Sequence, residues 1–70
     1  MSVARTVEIS ARSQKSFEDA VAQGVDRATK TLRNVKSAWI KEQEVDIKDN
    51  KIVGYKVHMK VTFVLDDETA

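Results

Sequence analysis

The chain has 70 residues, 41% of them hydrophobic and 33% charged, with a formal net charge of +1. This composition describes one soluble globular domain rather than a disordered segment, and so small a charge argues against a strong nonspecific grip on nucleic acid. Cysteine and proline are both absent, so neither disulfides nor thiolate metal sites can support a core near the lower size limit for independent stability.

Small domains without such supports often gain stability by oligomerising, which makes self-association an expectation before any motif is read. The N-terminal stretch Met1–Glu8 lacks the long apolar core of a signal peptide. No apolar run approaches the ~20 residues that cross a bilayer. The expected location is the cytoplasm, with no membrane partner and a single domain over residues 1–70.

Val3, Val7 and Ile9 alternate loosely with Thr6, Glu8 and Ser10, so Val3–Ser10 reads as a short first strand whose apolar row is interrupted by Arg5. Ala11–Lys15 is a polar connection. Ser16 then makes a good N-cap, with Glu18 and Asp19 in the first turn where the helix dipole favours acids. Phe17, Val21, Val25, Ala28 and Leu32 form an apolar stripe at helical spacing. Lys30 and Arg33 lie near the helix end, and the helix is expected from Phe17 to about Arg33. Gly24 costs about 1 kcal/mol against Ala in a helix interior, so its presence points to a close approach by another backbone.

Lys36–Ile47 and Tyr55–Leu65 read as two strands joined by a tight turn at Lys48-Asp49-Asn50-Lys51. Tyr55, Val57, Met59, Val61, Phe63 and Leu65 alternate with Lys56, His58, Lys60 and Thr62, the period of two that marks a strand with one buried face. Centring the turn on Asp49-Asn50 sets Ile40 opposite Met59 and Ala38 opposite Val61, uniting the apolar sides. The same register sets Trp39 opposite Lys60, Ser37 opposite Thr62, Lys41 opposite His58 and Gln43 opposite Lys56. Trp39, the sole tryptophan, therefore stands on a basic, polar face, and a large exposed aromatic usually marks a contact. Glu42 and Glu44 spoil the pattern, falling on the apolar side opposite Val57 and Tyr55. Either this end extends past the helix into solvent, or a bulge changes the facing. Asp66–Ala70 is an acidic tail.

The element order is β-α-β-β, an α+β domain with a three-stranded antiparallel sheet. One helix covers only one face of such a sheet, which leaves the Trp39 face open to solvent, ligand or another subunit. On that face Trp39, Lys41, Gln43, Lys56, His58 and Lys60 would suit a planar anionic ligand, stacked on the indole with its phosphate on lysine. Sheet platforms for nucleic acid usually offer two or more aromatics, and Trp39 stands alone here. The plainer alternative is that lysines keep the face soluble while Trp39 packs at a subunit contact.

Glu42, Glu44 and Asp46 alternate along the second strand, with Asp49 just beyond. Hard divalent cations take several carboxylate oxygens, so the row could contribute to a calcium or magnesium site. It lacks the spacing and glycine of a dedicated calcium loop, and cross-strand ion pairs or solvated carboxylates explain it as well. His58 is the sole histidine, with no cysteine or second histidine for a transition metal and no carboxylate or serine placed predictably beside it. It reads as an exposed strand residue. The only glycines are Gly24 and Gly54, so there is no phosphate-binding loop, and nothing in the sequence argues for an enzyme.

Several short segments, in order and spacing, resemble the dodecins. They are Val7-Glu8-Ile9-Ser10, Ser16-Phe17-Glu18 with Ala20, Arg27-Ala28, Thr31-Leu32-Arg33-Asn34-Val35 and Lys60-Val61-Thr62-Phe63-Val64-Leu65, covering about Val3–Leu65. The resemblance implies a long antiparallel hairpin partly wrapped around a single helix, and a hollow spherical homododecamer. Better-known dodecins bind flavins, which they are thought to store or sequester. A second-strand tryptophan stacks on the isoalloxazine ring and a third-strand glutamine bonds its polar edge. In this sequence Ser37 stands at that tryptophan position and Lys56 at the glutamine position. Trp39 lies two residues later, on the same strand face but about 7 Å along it. Lys56 donates but cannot accept, so the two-way hydrogen bonding of glutamine is lost.

Substitution of both positions is similar to the non-flavin branch, the calcium dodecins. The resemblance thus implies a binding and storage protein. Flavin or a related anionic ligand would meet Ser37, Trp39, Gln43, Lys56 and His58; calcium or magnesium at Glu42, Glu44 and Asp46 is the alternative; a structural shell without a small ligand is the third.

Overall fold

The computed structural model describes residues 3–65, so the expected acidic tail lies outside the described residues. Within them the chain forms β1 (Ala4–Ser13), α1 (Phe17–Thr31), β2 (Val35–Lys48) and β3 (Lys51–Val64). All strands are antiparallel in the order β1-β3-β2, which is the expected β-α-β-β sheet with one helix. The central place falls to β3, the strand with the cleanest alternation. On one side it pairs with β1 in an unbroken register from Ala4↔Val64 to Ser13↔Tyr55.

Ser16 caps α1 as its sequence position predicts: its Oγ accepts from the Asp19 backbone N–H at 3.0 Å. Asp19 in turn accepts from the Ser13 hydroxyl at 2.5 Å, tying the helix start to the end of β1. The helix stops at Thr31, two residues short of the Arg33 expected from the sequence. Leu32 is already extended, its N–H donating to the Ala28 carbonyl at 2.8 Å. Asn34 then adopts φ 61°, a left-handed conformation that Asn tolerates, and turns the chain into β2.

Ala20, Gly24 and Ala28 form the buried centre of the helix face, with Phe17, Val21, Val25 and Leu32 half-buried around them. Small residues every fourth position let the helix lie close upon the sheet. A Cβ on Gly24 would stand 2.7 Å from Met59 Cε and 3.1 Å from Ala11 Cβ, so the close approach predicted at Gly24 is made by side chains rather than by another backbone. Met59, Val57 and Val61 of β3 are fully buried beneath it. Phe17 meets Tyr55 edge-on, with ring centroids 5.1 Å apart.

The hairpin turn is also where the sequence places it. Asp49 and Asn50 have φ of 54° and 63°, the pair of positive values that a two-residue hairpin of the type I′ kind requires. Between it and Ser37 the pairing steps twice, and a third step leaves Lys36 unmatched between Val35↔Phe63 and Ser37↔Thr62. Ile47 faces Ile52, but Asp46 faces Gly54, leaving Val53 unmatched; Glu42 faces His58, but Ile40 faces Met59, leaving Lys41 unmatched. The two bulges lie on opposite strands and cancel, so Trp39↔Lys60, Ile40↔Met59, Ala38↔Val61 and Ser37↔Thr62 have the partners that the turn predicts.

Between the bulges the expected partners are corrected by one residue. His58 faces Glu42 rather than Lys41, and Lys56 faces Glu44 rather than Gln43. Glu42, Glu44 and Asp46 are thereby turned onto the face that carries Trp39, and the bulge alternative is the one realised. Gln43 is turned the other way, opposite Val57 on the helix side, and leaves the face where the sequence reading put it.

Candidate ligand- and ion-binding face

No part of α1 covers the second side of the sheet. Each strand contributes alternate residues to it: Glu8, Ser10 and Arg12 from β1, Lys56, His58, Lys60 and Thr62 from β3, and Ser37, Trp39, Glu42, Glu44 and Asp46 from β2. Polar side chains cross the whole sheet in successive rungs.

Nearest the hairpin turn, Arg12 of β1 reaches over β3 to β2. Its Nε donates to Asp46 Oδ2 at 2.7 Å, and its Nη2 donates to the Val53 carbonyl at 3.4 Å, within the bulge. Gly54 makes this path available, since a Cβ there would meet the guanidinium at 2.6 Å from Cζ. The hydrogen bond from Arg12 holds the Asp46 carboxyl below its ordinary value of 3.8, and the Lys56 charge 3.9 Å away acts in the same direction.

His58 is the middle rung. Ser10 Oγ lies 2.8 Å from its Nδ1, and Glu44 Oε1 lies 2.7 Å from its Nε2. No carboxylate is expected beside His58 from sequence alone, because Glu44 reaches it only after the Lys41 bulge has turned the acidic row. In the third rung Lys41 Nζ meets Glu8 Oε2 at 3.0 Å. That hydrogen bond and the Lys41 charge lower the Glu8 carboxyl, with Lys60 and His58 contributing further.

Trp39 stands level with Glu8, both facing Lys60, and is 63% exposed. Lys60 Nζ lies 5.5 Å from its ring centre, at cation–π range. Ser37 and Thr62 continue the same end of the face. Lys56 shares the face with Trp39 but not its neighbourhood, since four strand positions, roughly 13 Å, separate it from Lys60, whereas His58 is only two positions from Lys60. Thus the four expected ligand residues that do share this face run along it in the order Ser37, Trp39, His58, Lys56 rather than closing around one point.

The acidic row is divided as well. Asp46 is paired with Arg12, Glu44 with His58, and Glu42 makes no ion pair among the described residues. No three acidic, histidine or cysteine side chains converge as a metal cage among the described residues. On the helix side an open groove of about 550 Å³ runs between α1 and β1, walled by Val7, Ile9, Ala11, Gly24, Ala28 and Leu32. No helix among the described residues is long and apolar enough to cross a membrane.

The sequence profile of the Dodecin family matches residues 3–66. The chain belongs to the dodecin family. Among solved structures, this dodecin is similar to the dodecin from Streptomyces davaonensis, with a TM-score of 0.90 and 30% identity, covering 94% of this chain and 97% of that one. The tt0972 protein from Thermus thermophilus gives the same TM-score of 0.90 and 30% identity over 96% of this chain and 98% of its own. A curated relative, the calcium dodecin of Mycobacterium tuberculosis, is 29% identical over 63 residues, 90% of this chain and 89% of that protein.

Proposed function

We propose that this dodecin is a binding and storage protein that assembles as a homododecamer and holds a small anionic planar ligand, of the flavin class, on the Trp39 face. The observation that carries the reading is Trp39 itself: an indole 63% exposed, with a lysine ammonium beside it, on a sheet face that no helix or strand among the described residues covers. Aromatic stacking and a nearby cation are what an electron-poor ring bearing a phosphate requires. Because Lys60 already rests near the indole, a stacked ligand takes the other side of the ring or displaces the lysine toward its phosphate.

Assembly is supported by what one subunit leaves uncovered. The groove beside α1 is open and mostly apolar, though Arg12, Gln23 and Arg27 also line it, and Ile47 and Ile52 near the hairpin turn are 65% and 54% exposed. Light scattering should give about twelve times the 7.9 kDa chain mass. Riboflavin phosphate should quench Trp39 fluorescence, and its own fluorescence should change in the native protein but not in Trp39→Ala. No quenching at tens of micromolar ligand overturns the flavin reading.

A second reading, divalent-cation binding, is favoured by Glu42, the one member of the acidic row without an ion-pair partner among the described residues, and by the calcium dodecin relative. Glu42→Gln should then reduce a saturable calcium signal in calorimetry; no saturable heat with the assembled protein overturns it.

A further inference from the structure

We propose that Ser10 is an activated nucleophile, acylated by small activated esters, with His58 as its general base and Glu44 as the residue that positions His58. This goes beyond ligand or ion binding and depends on neither.

The three side chains come from three strands and stand in one line, with Ser10 Oγ 2.8 Å from His58 Nδ1 and His58 Nε2 2.7 Å from Glu44 Oε1. Proton positions follow from the acceptor at the far end. An ionised carboxylate only accepts, so Nε2 carries the hydrogen that Glu44 receives. In the neutral ring Nδ1 then holds the lone pair, and the Ser10 hydroxyl must donate to it. That is the arrangement of an activated nucleophile: hydroxyl against base, base oriented by a third group.

The backbone holds this line in place. Ser10 is directly opposite His58 in the β1–β3 ladder, so the first contact is set by register. The bulge at Lys41 puts Glu44 on the same face, so the second contact is set by the same irregularity that turned the acidic row. Among the serines described, Ser10 alone has such a partner. Ser13 is buried and donates to Asp19, Ser16 caps α1, and Ser37 stands opposite Thr62. Ser10 is exposed, which lets an electrophile reach its oxygen.

In the reaction Ser10 Oγ attacks the ester carbonyl carbon and its proton passes to His58 Nδ1, while Glu44 holds the resulting imidazolium at Nε2. The tetrahedral intermediate collapses, the bond to the leaving alkoxide or phenolate breaks, and that oxygen departs with the electron pair. The proton on Nδ1 returns to solvent or to the leaving group. Lys56 and Lys60 neighbour His58 along β3 on the same face, with their ammonium groups toward Asp46 and over the Trp39 ring. The product is an O-acyl serine and one released alcohol, with no other reactant consumed.

The test uses p-nitrophenyl acetate and the full-length protein. Peptide mass spectrometry should locate one acetyl group on Ser10, accompanied by a burst of p-nitrophenolate. Ser10→Ala should remove the burst, and His58→Gln should slow it on the order of a hundredfold, as loss of a general base does. Glu44→Gln should slow it less and move the pH at which the rate reaches half its plateau, a change that mere support of the fold would not produce. Circular dichroism confirms that each variant is folded. Acetylation confined to lysines or His58, or a His58→Gln variant reacting at the native rate, overturns the proposal. An unmoved pH profile in Glu44→Gln removes Glu44 from it. Trp39 and Ser37 take no part, so failure of flavin binding leaves the result intact.

Discussion

Arg12 and Asp46 are joined at 2.7 Å across the full width of the sheet, and the bridge passes over Gly54, where a Cβ would strike the guanidinium. Glycine in a strand interior is otherwise weaker than alanine by roughly 0.5–1 kcal/mol. Gly54→Ala therefore trades that gain against displacement of Arg12 from Asp46 and from the Val53 carbonyl. In the native background it should be neutral or destabilising; in Arg12→Ala it should stabilise by about 0.5–1 kcal/mol. Urea titrations of the four-member cycle measure this, and equal effects in both backgrounds would contradict the crossing.

Acid should weaken the fold through three carboxyls. Glu8, Asp19 and Asp46 are lowered chiefly by hydrogen bonds from Lys41, Ser13 and Arg12 respectively. Each binds its proton less readily folded than unfolded. Their contribution is complete above the ordinary values of 4.5 for Glu8 and 3.8 for the aspartates, and is lost as pH falls through the lower folded values. Thermal midpoints should be level near neutrality and fall below about pH 4. Asp19→Asn and Asp46→Asn should flatten that fall.

The turn makes a different demand. Asn50 holds φ 63°, where a residue lacking a short polar side chain loses roughly 1–2 kcal/mol. Asn50→Ala should cost about 1 kcal/mol, whereas Asn50→Gly should cost nothing or stabilise. A shift in urea midpoint with unchanged slope is the expected reading; equal stability of the two variants would contradict the turn geometry.

Met59 is 1% exposed and touches the Gly24 position, so Met59→Ala should cost roughly 2–5 kcal/mol. The loss should appear in chemical unfolding of the assembled protein. A cost within 0.5 kcal/mol, about the level of a surface substitution, would place the core elsewhere.

Much of this architecture is legible in the residues. The alternation from Tyr55 to Leu65, the cap at Ser16 and the Asp49-Asn50 turn act locally, so strand, helix and hairpin follow from short windows of sequence. The bulges do not. Lys41 and Val53 have no local signature, and only the misplaced Glu42 and Glu44 pointed to one of them. Gly54 falls just outside the strand expected at Tyr55–Leu65, so its role as a crossing point is not legible there, and what approaches it is an arginine 42 positions away. The site suffers most from this. The partners of His58 are 48 and 14 positions distant in sequence, and a one-residue error in register exchanges Glu44 for Gln43 on its face.

Removing Lys41 and Val53 together would leave every cross-strand partner between Ser37 and Lys51 unchanged, since neither residue is matched. The ladder itself could be written with two fewer letters. What those letters supply is curvature: each bulge bends and twists its own strand, and one stands on either side of the hairpin. A straightened 68-residue chain, two shorter than the native 70, would lose the Lys41–Glu8 pair and the Val53 carbonyl that Arg12 meets, and would present the remaining side chains along a flatter ribbon. The hairpin therefore carries two separable kinds of information, one specifying which side chains meet and the other the arc along which they are displayed.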